Sequence, residues 1–426
     1  MNKPFYFKSW SWNALNGLLS LNFECGNYAF EEKISFPGAP FSLSEKRKEA
    51  LDKIFFLLHI AAGVSYYKAF GNPEIKIESG KLSNKQASFF NDFYRLGLGQ
   101  FAAQNGLKLK FDFPSTKGEE KAFKLGLKNE AFVPVGGGKD SCVTINRLKN
   151  AGMHPTLFSV NTARPIADCK RISGLPEVTI KREISPVLLE NNDHFLNGHV
   201  PISGIIAFIA VAACILYDKR FVVMSCEGSA DEANFDDVNH QWSKSSVFES
   251  SFNQMLNQIV PEICYFSLLR PLSEMQIAAE FASKCPEYFD VFTSCNHAFH
   301  INEKQRLERW CGICDKCRFV FLILAPFMDR KKLIEIIGRN PLNDIDQEKG
   351  YLALLGIGQN KPFECVGTYD ECRLAFLMLA EKKEWQNDCL IQKIVPLLKD
   401  FSRTSLEKTV LAKGKSDLIP EAFKNV

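Results

Sequence analysis

The strongest constraint on the fold is one stretch in which an apolar run, residues 132–135, leads into three glycines and then into a helical pattern. We interpret this stretch as a strand, a glycine loop and a helix. Glycine lets a backbone approach a ligand closely and adopt positive φ angles. The start of the helix offers unpaired N–H groups and a positive dipole end to an anion. The stretch therefore predicts a phosphate-binding loop made by Gly136, Gly137 and Gly138.

The three side chains after the glycines indicate which kind of anion site this is. Lys139 adds a positive charge and Ser141 can donate a hydroxyl hydrogen bond. Asp140 is unusual beside an anion, but a carboxylate is expected there if it holds Mg²⁺ that bridges phosphates. The order of residues is neither that of Walker A nor that of the dinucleotide-binding fingerprint. The alternative is an ordinary glycine turn before a helix.

Composition narrows the class of protein. The 426 residues are 46% hydrophobic and 24% charged, as in a soluble globular protein of two or three domains. A net charge of only +3 argues against a general nucleic-acid binder. Residues 1–12 lack the apolar core of a signal peptide, and the longest apolar stretch, residues 202–216, is shorter than the ~20 residues that span a bilayer. The 14 cysteines do not form a secreted framework. We expect a cytoplasmic protein.

The order of strand and helix patterns predicts three regions. Residues 1–115 carry short aromatic strands and two helical patterns, 44–70 and 84–105, which indicate an N-terminal α+β domain. Residues 130–320 alternate between strand and helix, which is typical of an α/β doubly wound domain. Residues 321–426 are mostly helical. Ligands of doubly wound sheets bind beyond the carboxyl ends of the strands, so the loops after the strands are the candidate sites.

Polar side chains occupy two such loops. Asn161, Thr162 and Arg164 follow the strand pattern at residues 156–160, and a simple turn with hydrogen-bonding side chains is the alternative interpretation of Asn161 and Thr162. Gly228 and Ser229 follow the next apolar strand pattern and are suited to contact a nucleotide or an acyl group. Carboxylates in the same loop are an alternative magnesium site, with a solvated acidic loop as the plainer interpretation: Glu227, Asp231 and Glu232.

Two further segments carry groups that can move protons. His240 can act as an acid or a base near neutral pH, although a lone histidine is more often structural, and Lys244 can bind phosphate or carboxylate. Glu364 and Cys365 are ionisable groups in a loop between helical patterns. A thiolate could take a proton from an activated carbon, whereas a buried inert cysteine is the commoner case.

Four cysteines have the spacing of metal ligands. Cys311, Cys314 and Cys317 form two successive C-x-x-C spacings, and Cys295 lies upstream. Four thiolates around tetrahedral Zn²⁺ make a closed, structural site. An iron–sulfur cluster and free thiols are the alternatives, but a ferredoxin-type run would place its next cysteine where Phe321 stands.

Residues 136–141 resemble the PP-loop of the ATP pyrophosphatases, usually written SGGKDS, with glycine in place of the first serine. Those enzymes cleave ATP between its α and β phosphates and adenylate a substrate. The resemblance implies an adenine nucleotide α-hydrolase-like fold and binding of ATP and Mg²⁺ by the loop. It also implies that Asn161 and Thr162 lie at the edge that binds adenine or ribose.

Two families within that superfamily fit further segments. Ser294, Cys295 and residues 311–317 resemble the 7-cyano-7-deazaguanine synthases, which modify a nucleobase precursor. Those proteins are shorter and lack the N-terminal domain and the long helical C-terminal region. More of the chain resembles the UDP-N-acetylmuramoyl-L-alanyl-L-glutamate epimerases, in residues 133–141, 197–202, 239–245, 265–271, 310–327 and 361–367.

The epimerase resemblance implies a complete chemical scheme. ATP would adenylate the terminal L-Glu of UDP-MurNAc-L-Ala-L-Glu, an acid–base step would invert its α-carbon, and water would release AMP, with diphosphate already lost. Lys139 and Asp140 would serve the adenylation, and Arg164 and Lys244 would bind the substrate. The candidates for the α-proton are His240, Cys365 and Cys226. The remaining alternative is a nucleotide-binding regulator without turnover.

Overall fold

The computed structural model describes residues 3–118, 121–190, 194–234, 238–300, 303–414 and 416–426. Within those ranges the strands are β1 (Phe5–Asn13), β2 (Leu18–Cys25), β3 (Tyr28–Ser35), β4 (Ile75–Ile77), β5 (Leu82–Ser83), β6 (Ser115–Thr116), β7 (Lys128–Pro134), β8 (Thr156–Val160), β9 (Glu177–Glu183), β10 (Lys219–Met224) and β11 (Cys264–Ser267).

The helices of the first two thirds of the chain alternate with these strands. They are α1 (Glu45–Ala62), α2 (Val64–Tyr67), α3 (Asn84–Gly97), α4 (Gly99–Gln104), α5 (Lys139–Asn150), α6 (Arg164–Ser173), α7 (Pro186–Glu190), α8 (Ile202–Leu216), α9 (Ser246–Leu256) and α10 (Glu274–Lys284). The last third is helical, with α11 (Asp315–Leu324), α12 (Arg330–Ile337), α13 (Glu348–Leu355), α14 (Tyr369–Ala380), α15 (Cys389–Ile394) and α16 (Arg403–Val410). No helix in the described part of the chain is long and apolar enough to cross a bilayer.

One mixed sheet organises the described residues. Nine strands lie in the order β11-β10-β7-β8-β9-β3-β2-β1-β4. The five strands from β11 to β9 are parallel to one another, whereas β3 pairs antiparallel with β9 and begins an antiparallel meander with β2 and β1. The α/β class expected from the sequence is thereby confirmed. The strand order changes direction at β7, because the chain continues to β8 on one side and returns to β10 on the other.

Helices cover both faces of the parallel strands. Phe132 and Val222 point into a core that also contains α8 and α1. The neighbouring residues Val133 and Val223 point to the opposite face, where α5, α10 and the C-terminal helices pack. Alternate residues of the same strand are therefore buried on opposite sides, which explains why the central strands are continuous apolar runs.

The N-terminal strands β1 to β4 extend the parallel sheet, whereas β5 and β6 form a separate two-stranded sheet. β3 joins β9 through the pairs Lys33–Glu183, Ile34–Arg182 and Ser35–Lys181. The boundaries of the three regions, 1–115, 130–320 and 321–426, stay a prediction. The strands on either side of residue 115 nevertheless share one sheet, which the sequence pattern did not indicate.

Three local expectations were wrong in detail. Arg164, expected in a loop, begins α6, and Pro165 follows it in the first turn, where proline fits a helix. The two helical patterns are each divided, the one over 44–70 at Gly63 between α1 and α2 and the one over 84–105 at Leu98 between α3 and α4. A Cβ at Gly63 would lie 2.3 Å from a ring carbon of Phe7, so the close packing of β1 requires glycine there.

Candidate functional site

The glycine loop lies at the carboxyl end of β7, at the point where the strand order changes direction. Gly137 has a φ of 80°, which favours glycine, and its carbonyl accepts a 2.9 Å hydrogen bond from the Thr293 amide. A Cβ on Gly138 would lie 2.7 Å from Ser294 Oγ, whereas one on Gly136 would meet nothing within 4 Å. The loop is therefore packed closely on one side and open at its first glycine. Open α/β sheets bind ligands at such a topological switch point.

Lys139 begins α5 and is held by carboxylates. Its ammonium donates to Asp140 and to Glu274 at the start of α10, and all but 3% of its side chain is buried. Burial by itself lowers the pKa of Lys139, but the negative charges of Asp140 and Glu274 outweigh it and raise the pKa above its usual value. Lys139 is therefore a fixed positive charge beside the glycines. Ser141 is also buried, and its hydroxyl donates to the Gly138 carbonyl at 2.9 Å.

Three carboxylates converge in front of the loop. Asp140, Glu227 and Glu274 each offer an oxygen within 4.8 Å of the others. Burial raises the pKa of Glu274 above its usual range, and the charge of Lys139 partly offsets this shift. Oxygen ligands of this kind suit Mg²⁺. The group can therefore hold a divalent cation, which would offset the cost of bringing three carboxylates together.

The other two acidic residues of the loop after β10 are already bound to groups elsewhere in the chain. The Ser246 amide donates to Asp231 at 2.6 Å, and Lys361 pairs with Glu232 at 2.5 Å. Of the three acidic residues considered after β10, the structure brings only Glu227 into the carboxylate group.

The residues predicted after β8 lie at the same edge of the sheet but are exposed. The Asn161 side chain donates to the Arg182 carbonyl at 2.9 Å and accepts from the Arg182 amide at 2.8 Å. Thr162 is exposed beside it. Arg164 is 62% exposed and pairs with Asp168 and with Glu308 at 2.7 Å.

The residues predicted after β10 lie in a short 3₁₀ turn, in which Ser229 is buried. Ser229 Oγ donates to Glu227 Oε1 at 3.3 Å, and the Gly228 amide donates to the Leu272 carbonyl at 3.0 Å. Gly228 and Ser229 therefore support Glu227, which is one of the three converging carboxylates.

A second cluster is built around Lys244 and Cys365, which are 121 residues apart in sequence. Lys244 Nζ donates to Cys365 Sγ at 3.1 Å. The charge of Cys365 is the largest cause that raises the pKa of Lys244, against the effect of burial. Arg270 connects the two clusters, because its guanidinium donates to the Glu227 carbonyl at 2.7 Å and to the Lys244 carbonyl at 2.6 Å.

His240 belongs to this cluster together with His199. The two imidazole rings lie 4.4 Å apart between centroids, and His240 Nδ1 contacts Gln100 Oε1 at 2.5 Å. An amide oxygen only accepts, so Nδ1 carries the proton and Nε2 is left as an acceptor. Burial, reinforced by the charge of Lys244, lowers the pKa of His240 to about 4. Burial, with His240 and Lys244, lowers the pKa of His199 to about 3.

The loop that carries Cys365 is fixed by neighbouring segments. The Lys316 ammonium donates to the Cys365 carbonyl, and Asn296 donates to Glu364 Oε1 at 2.5 Å. Asn234, from the loop after β10, donates to the Pro362 carbonyl at 2.9 Å. Cys226, the third proton-transfer candidate, is buried, which raises its pKa to about 12 although the charges of Arg270 and Lys244 oppose the shift.

Four thiols form a compact group beside both clusters. The sulfur of Cys314 is 3.5 Å from that of Cys317 and 4.0 Å from that of Cys295, and Cys311 is 3.6 Å from Cys317. All four sulfurs lie within 4.8 Å of one another. Four sulfurs placed tetrahedrally at about 2.3 Å from one metal ion lie about 3.8 Å from one another. The geometry therefore fits one tetrahedral metal ion.

Some members of the site were not selected as candidates from the sequence. Glu274 follows Ser273, and their segment gives only the signal of a helix start with a capping box. His199 lies in the segment 197–202, which was noted only for its resemblance. Lys316 lies between Cys314 and Cys317, where the sequence shows only metal-ligand spacing. Only the tertiary contacts reveal these three.

Comparison with known proteins covers nearly the whole chain. Residues 1–268 match the model of the MurL N-terminal domain, and residues 291–409 match that of the MurL C-terminal domain. A protein of Xanthomonas oryzae pv. oryzae (strain MAFF 311018), UDP-N-acetyl-alpha-D-muramoyl-L-alanyl-L-glutamate epimerase, is 39% identical over 418 residues, 94% of this chain and 92% of that protein. The protein of the same name from Salinispora tropica is 36% identical over an alignment of 437 positions, which covers 98% of this chain and 94% of that protein. The chain therefore belongs to the MurL family.

Proposed function

We propose that this protein is an ATP-dependent epimerase that inverts the terminal L-Glu of UDP-MurNAc-L-Ala-L-Glu, forming an acyl-adenylate and releasing AMP and diphosphate. Two observations support the proposal. Relatives of that name align over most of the chain. The observation that carries the ATP-dependent part is the convergence of Asp140, Glu227 and Glu274 in front of the glycine loop.

The nucleotide would lie at the carboxyl end of β7, in a doubly wound PP-loop domain. The order β11-β10-β7-β8-β9 is the arrangement expected of such a domain. Residues 136–138, Ser141 and the start of α5 would face the phosphates, and Lys139 would place its fixed charge beside them. Mg²⁺, when bound by the three carboxylates, would neutralise charge on the phosphates.

Placing the rest of the nucleotide and the substrate extends the same proposal. Asn161 and Thr162 follow β8, the strand beside β7, which supports their assignment to adenine or ribose. Gly228 and Ser229 would support the nucleotide through Glu227. Arg164 is exposed near them, where it would reach an anionic part of the substrate. Lys244 lies in the second cluster, which supports a position close to the glutamate.

Activation by ATP has a clear physical purpose. A free carboxylate resists loss of its α-proton because deprotonation builds a second negative charge next to the first. Conversion to a mixed anhydride with AMP removes the first charge, so the α-proton becomes acidic enough for a side chain to take. The nucleotide cluster would carry out the first step, and the Lys244–Cys365 cluster lies where the second would follow.

The four thiols would hold structural Zn²⁺, completing the cofactors with ATP and Mg²⁺. Their separations fit a single ion and leave no room for a cluster of four irons between them. The same segment touches the glycine loop through Thr293 and Ser294. The ion would therefore fix the position of that loop as well as the local fold.

Product analysis tests the proposal. The protein is incubated with UDP-MurNAc-L-Ala-L-Glu, ATP and Mg²⁺. We expect AMP and diphosphate only when the peptide substrate is present, and we expect Asp140→Asn to lower their formation at least about 100-fold because a metal ligand is lost. Asp218→Asn is the control, because both aspartates are 27% exposed in the structure and Asp218 lies at the opposite end of the sheet.

Each alternative function predicts a different result. ADP and phosphate as products would contradict adenylation. A 7-cyano-7-deazaguanine-type synthase would leave the peptide substrate unchanged, and a nucleotide-binding regulator would release no AMP with any acyl substrate. The epimerase relatives match both the N-terminal region and the helical C-terminal region, which favours the epimerase over the shorter synthases.

A further inference from the structure

Inversion at Cα requires a group that removes a proton from one face of the carbon and a group that returns one to the other face. Three side chains were candidates on sequence grounds. The structure distinguishes them by their contacts, because a useful base must be reachable and must have its charged form stabilised.

Cys226 and His240 are poorly suited to start the reaction. Cys226 is 7% exposed, and burial favours its neutral thiol. His240 has one ring nitrogen bound to Gln100 and its ring against His199, and its pKa of about 4 makes it a weak base. Both groups are neutral near pH 7.

Cys365 differs from both in the group that contacts its sulfur. Cys365 is half-buried, and the Lys244 ammonium lies 3.1 Å from its sulfur. A neighbouring ammonium stabilises a thiolate electrostatically, and reactive cysteines are found in such surroundings. The backbone at Cys365 is fixed by Lys316, and the next side chain, Glu364, is held by Asn296. The thiol therefore has a defined position and an ammonium group in direct contact with it.

We propose that Cys365 is the catalytic residue that exchanges the α-proton on one face of the glutamate Cα, with Lys244 as the positioning residue that holds its thiolate. The inference rests on the proposed function, because it requires the acyl-adenylate. It goes further by assigning the acid–base group and its counter-ion.

The step balances as a pair of proton transfers. The Cα–H bond breaks, its electron pair moves into the activated carbonyl as an enolate, and the proton forms the S–H bond of Cys365. A second Brønsted acid on the opposite face then forms a new Cα–H bond. Nothing is oxidised or reduced, and both groups recover their protonation by exchange with solvent. In the reverse direction the two groups exchange roles.

Isotope exchange in D₂O tests this assignment. Cys365→Ala and Cys365→Ser are incubated with ATP, Mg²⁺ and either the L-Glu or the D-Glu substrate, and AMP formation is measured in the same samples. We expect AMP formation within about threefold of wild type and epimerisation at least about 100-fold slower, since positioned acid–base groups contribute on that order. Solvent deuterium should appear at Cα with only one of the two epimers as substrate, because the group on the opposite face can still remove and return a proton there.

Cys264→Ser is the matched control, since Cys264 is also half-buried but lies outside every cluster of the site. Epimerisation at the wild-type rate by either Cys365 variant would overturn the inference. A folded Cys365 variant that forms no AMP would also overturn it, by making Cys365 part of nucleotide binding. Absence of AMP formation by the wild-type protein would instead reject the proposed function.

Lys244 is tested by the chemistry of the thiol itself. Without substrate, iodoacetamide should label Cys365 at least about tenfold more slowly in Lys244→Met than in wild type, and Lys244→Arg should restore much of the rate. Labelling is located by peptide mass spectrometry, so misfolding would appear as faster, unselective labelling. Equal rates of selective labelling in Lys244→Met and wild type would overturn the role given to Lys244.

Discussion

The three glycines of the loop are the same residue type, but each is constrained differently by its backbone angles and its neighbours. Gly137 has a φ of 80°, and a Cβ there would lie 3.0 Å from the Pro165 carbonyl carbon. We expect Gly137→Ala to cost about 1–2 kcal/mol of unfolding free energy, because alanine is strained at this φ. Denaturant titration measures this cost.

Gly136→Ala is the matched control for that prediction. Gly136 is exposed, and an added methyl group meets no atom within 4 Å. The expected change is within about 0.5 kcal/mol. A larger loss of stability at Gly136 than at Gly137 would show that the geometry of the loop is wrong.

Charged residues next to an informative motif could be predicted, whereas their distant partners could not. Lys139 and Asp140 were predicted because they follow the glycines directly. Glu274 is 135 residues further along the chain, and an acidic residue in the first turn of a helix is ordinary. Its importance comes from burial beside Lys139, which is a tertiary property without a local signal.

The four-cysteine segment supports two functional loops at once. Thr293 and Ser294, just before Cys295, touch the glycine loop, while Asn296 and Lys316 hold the loop of Cys365. Loss of the metal should therefore affect ATP binding as well as stability.

Cys314→Ser tests this dual role. We expect about one zinc ion per wild-type chain, its loss in the variant, and a fall in unfolding free energy of about 4 kcal/mol or more, because structural zinc contributes directly to folding. Elemental analysis, denaturant titration and ATP titration measure these effects. Cys264→Ser, outside the cluster, should change none of them. Iron with labile sulfide in anaerobically purified protein would contradict the zinc assignment.

Elements with strong local patterns were predicted well. β8 coincides with the strand pattern at residues 156–160, and α8 coincides with the apolar stretch 202–216, because polar residues follow each apolar run. The start of α6 was missed because the loop interpretation took no account of Pro165, a residue that is also common in the first turn of a helix. The break at Gly63 depends on a contact with Phe7, which the local sequence does not contain.

The whole molecule is held together by a sheet that joins the N-terminal strands to the nucleotide-binding strands. At the junction, Glu32 on β3 is fully buried and pairs with Arg182 on β9 at 2.7 Å. Tyr66 also donates to Glu32, at 2.9 Å. Pairing between strands 150 residues apart has no local sequence signal, so this junction could not be predicted.

Glu32→Ala should weaken the entire fold and not just its N-terminal part. Removal of one partner leaves Arg182 buried without its counter-ion, which typically costs about 3–5 kcal/mol. The adjacent Glu31→Ala is the control, because Glu31 is 47% exposed and its ion pair with Lys33 contributes little. Denaturant titration followed by tryptophan fluorescence and by ATP binding should give coincident, shifted transitions. An unchanged midpoint for Glu32→Ala would contradict the structural role of the junction.

The central claim is that ATP makes the α-proton of the peptide glutamate exchangeable. The most direct measurement is incubation of the wild-type protein with UDP-MurNAc-L-Ala-L-Glu and Mg²⁺ in D₂O, with and without ATP, followed by chiral analysis and mass spectrometry of the glutamate. With ATP we predict D-Glu that carries one deuterium at Cα, together with AMP and diphosphate. Without ATP we predict unlabelled L-Glu, since the free carboxylate resists a second negative charge. Release of AMP and diphosphate without deuterium at Cα, or deuterium exchange without ATP, would contradict the account.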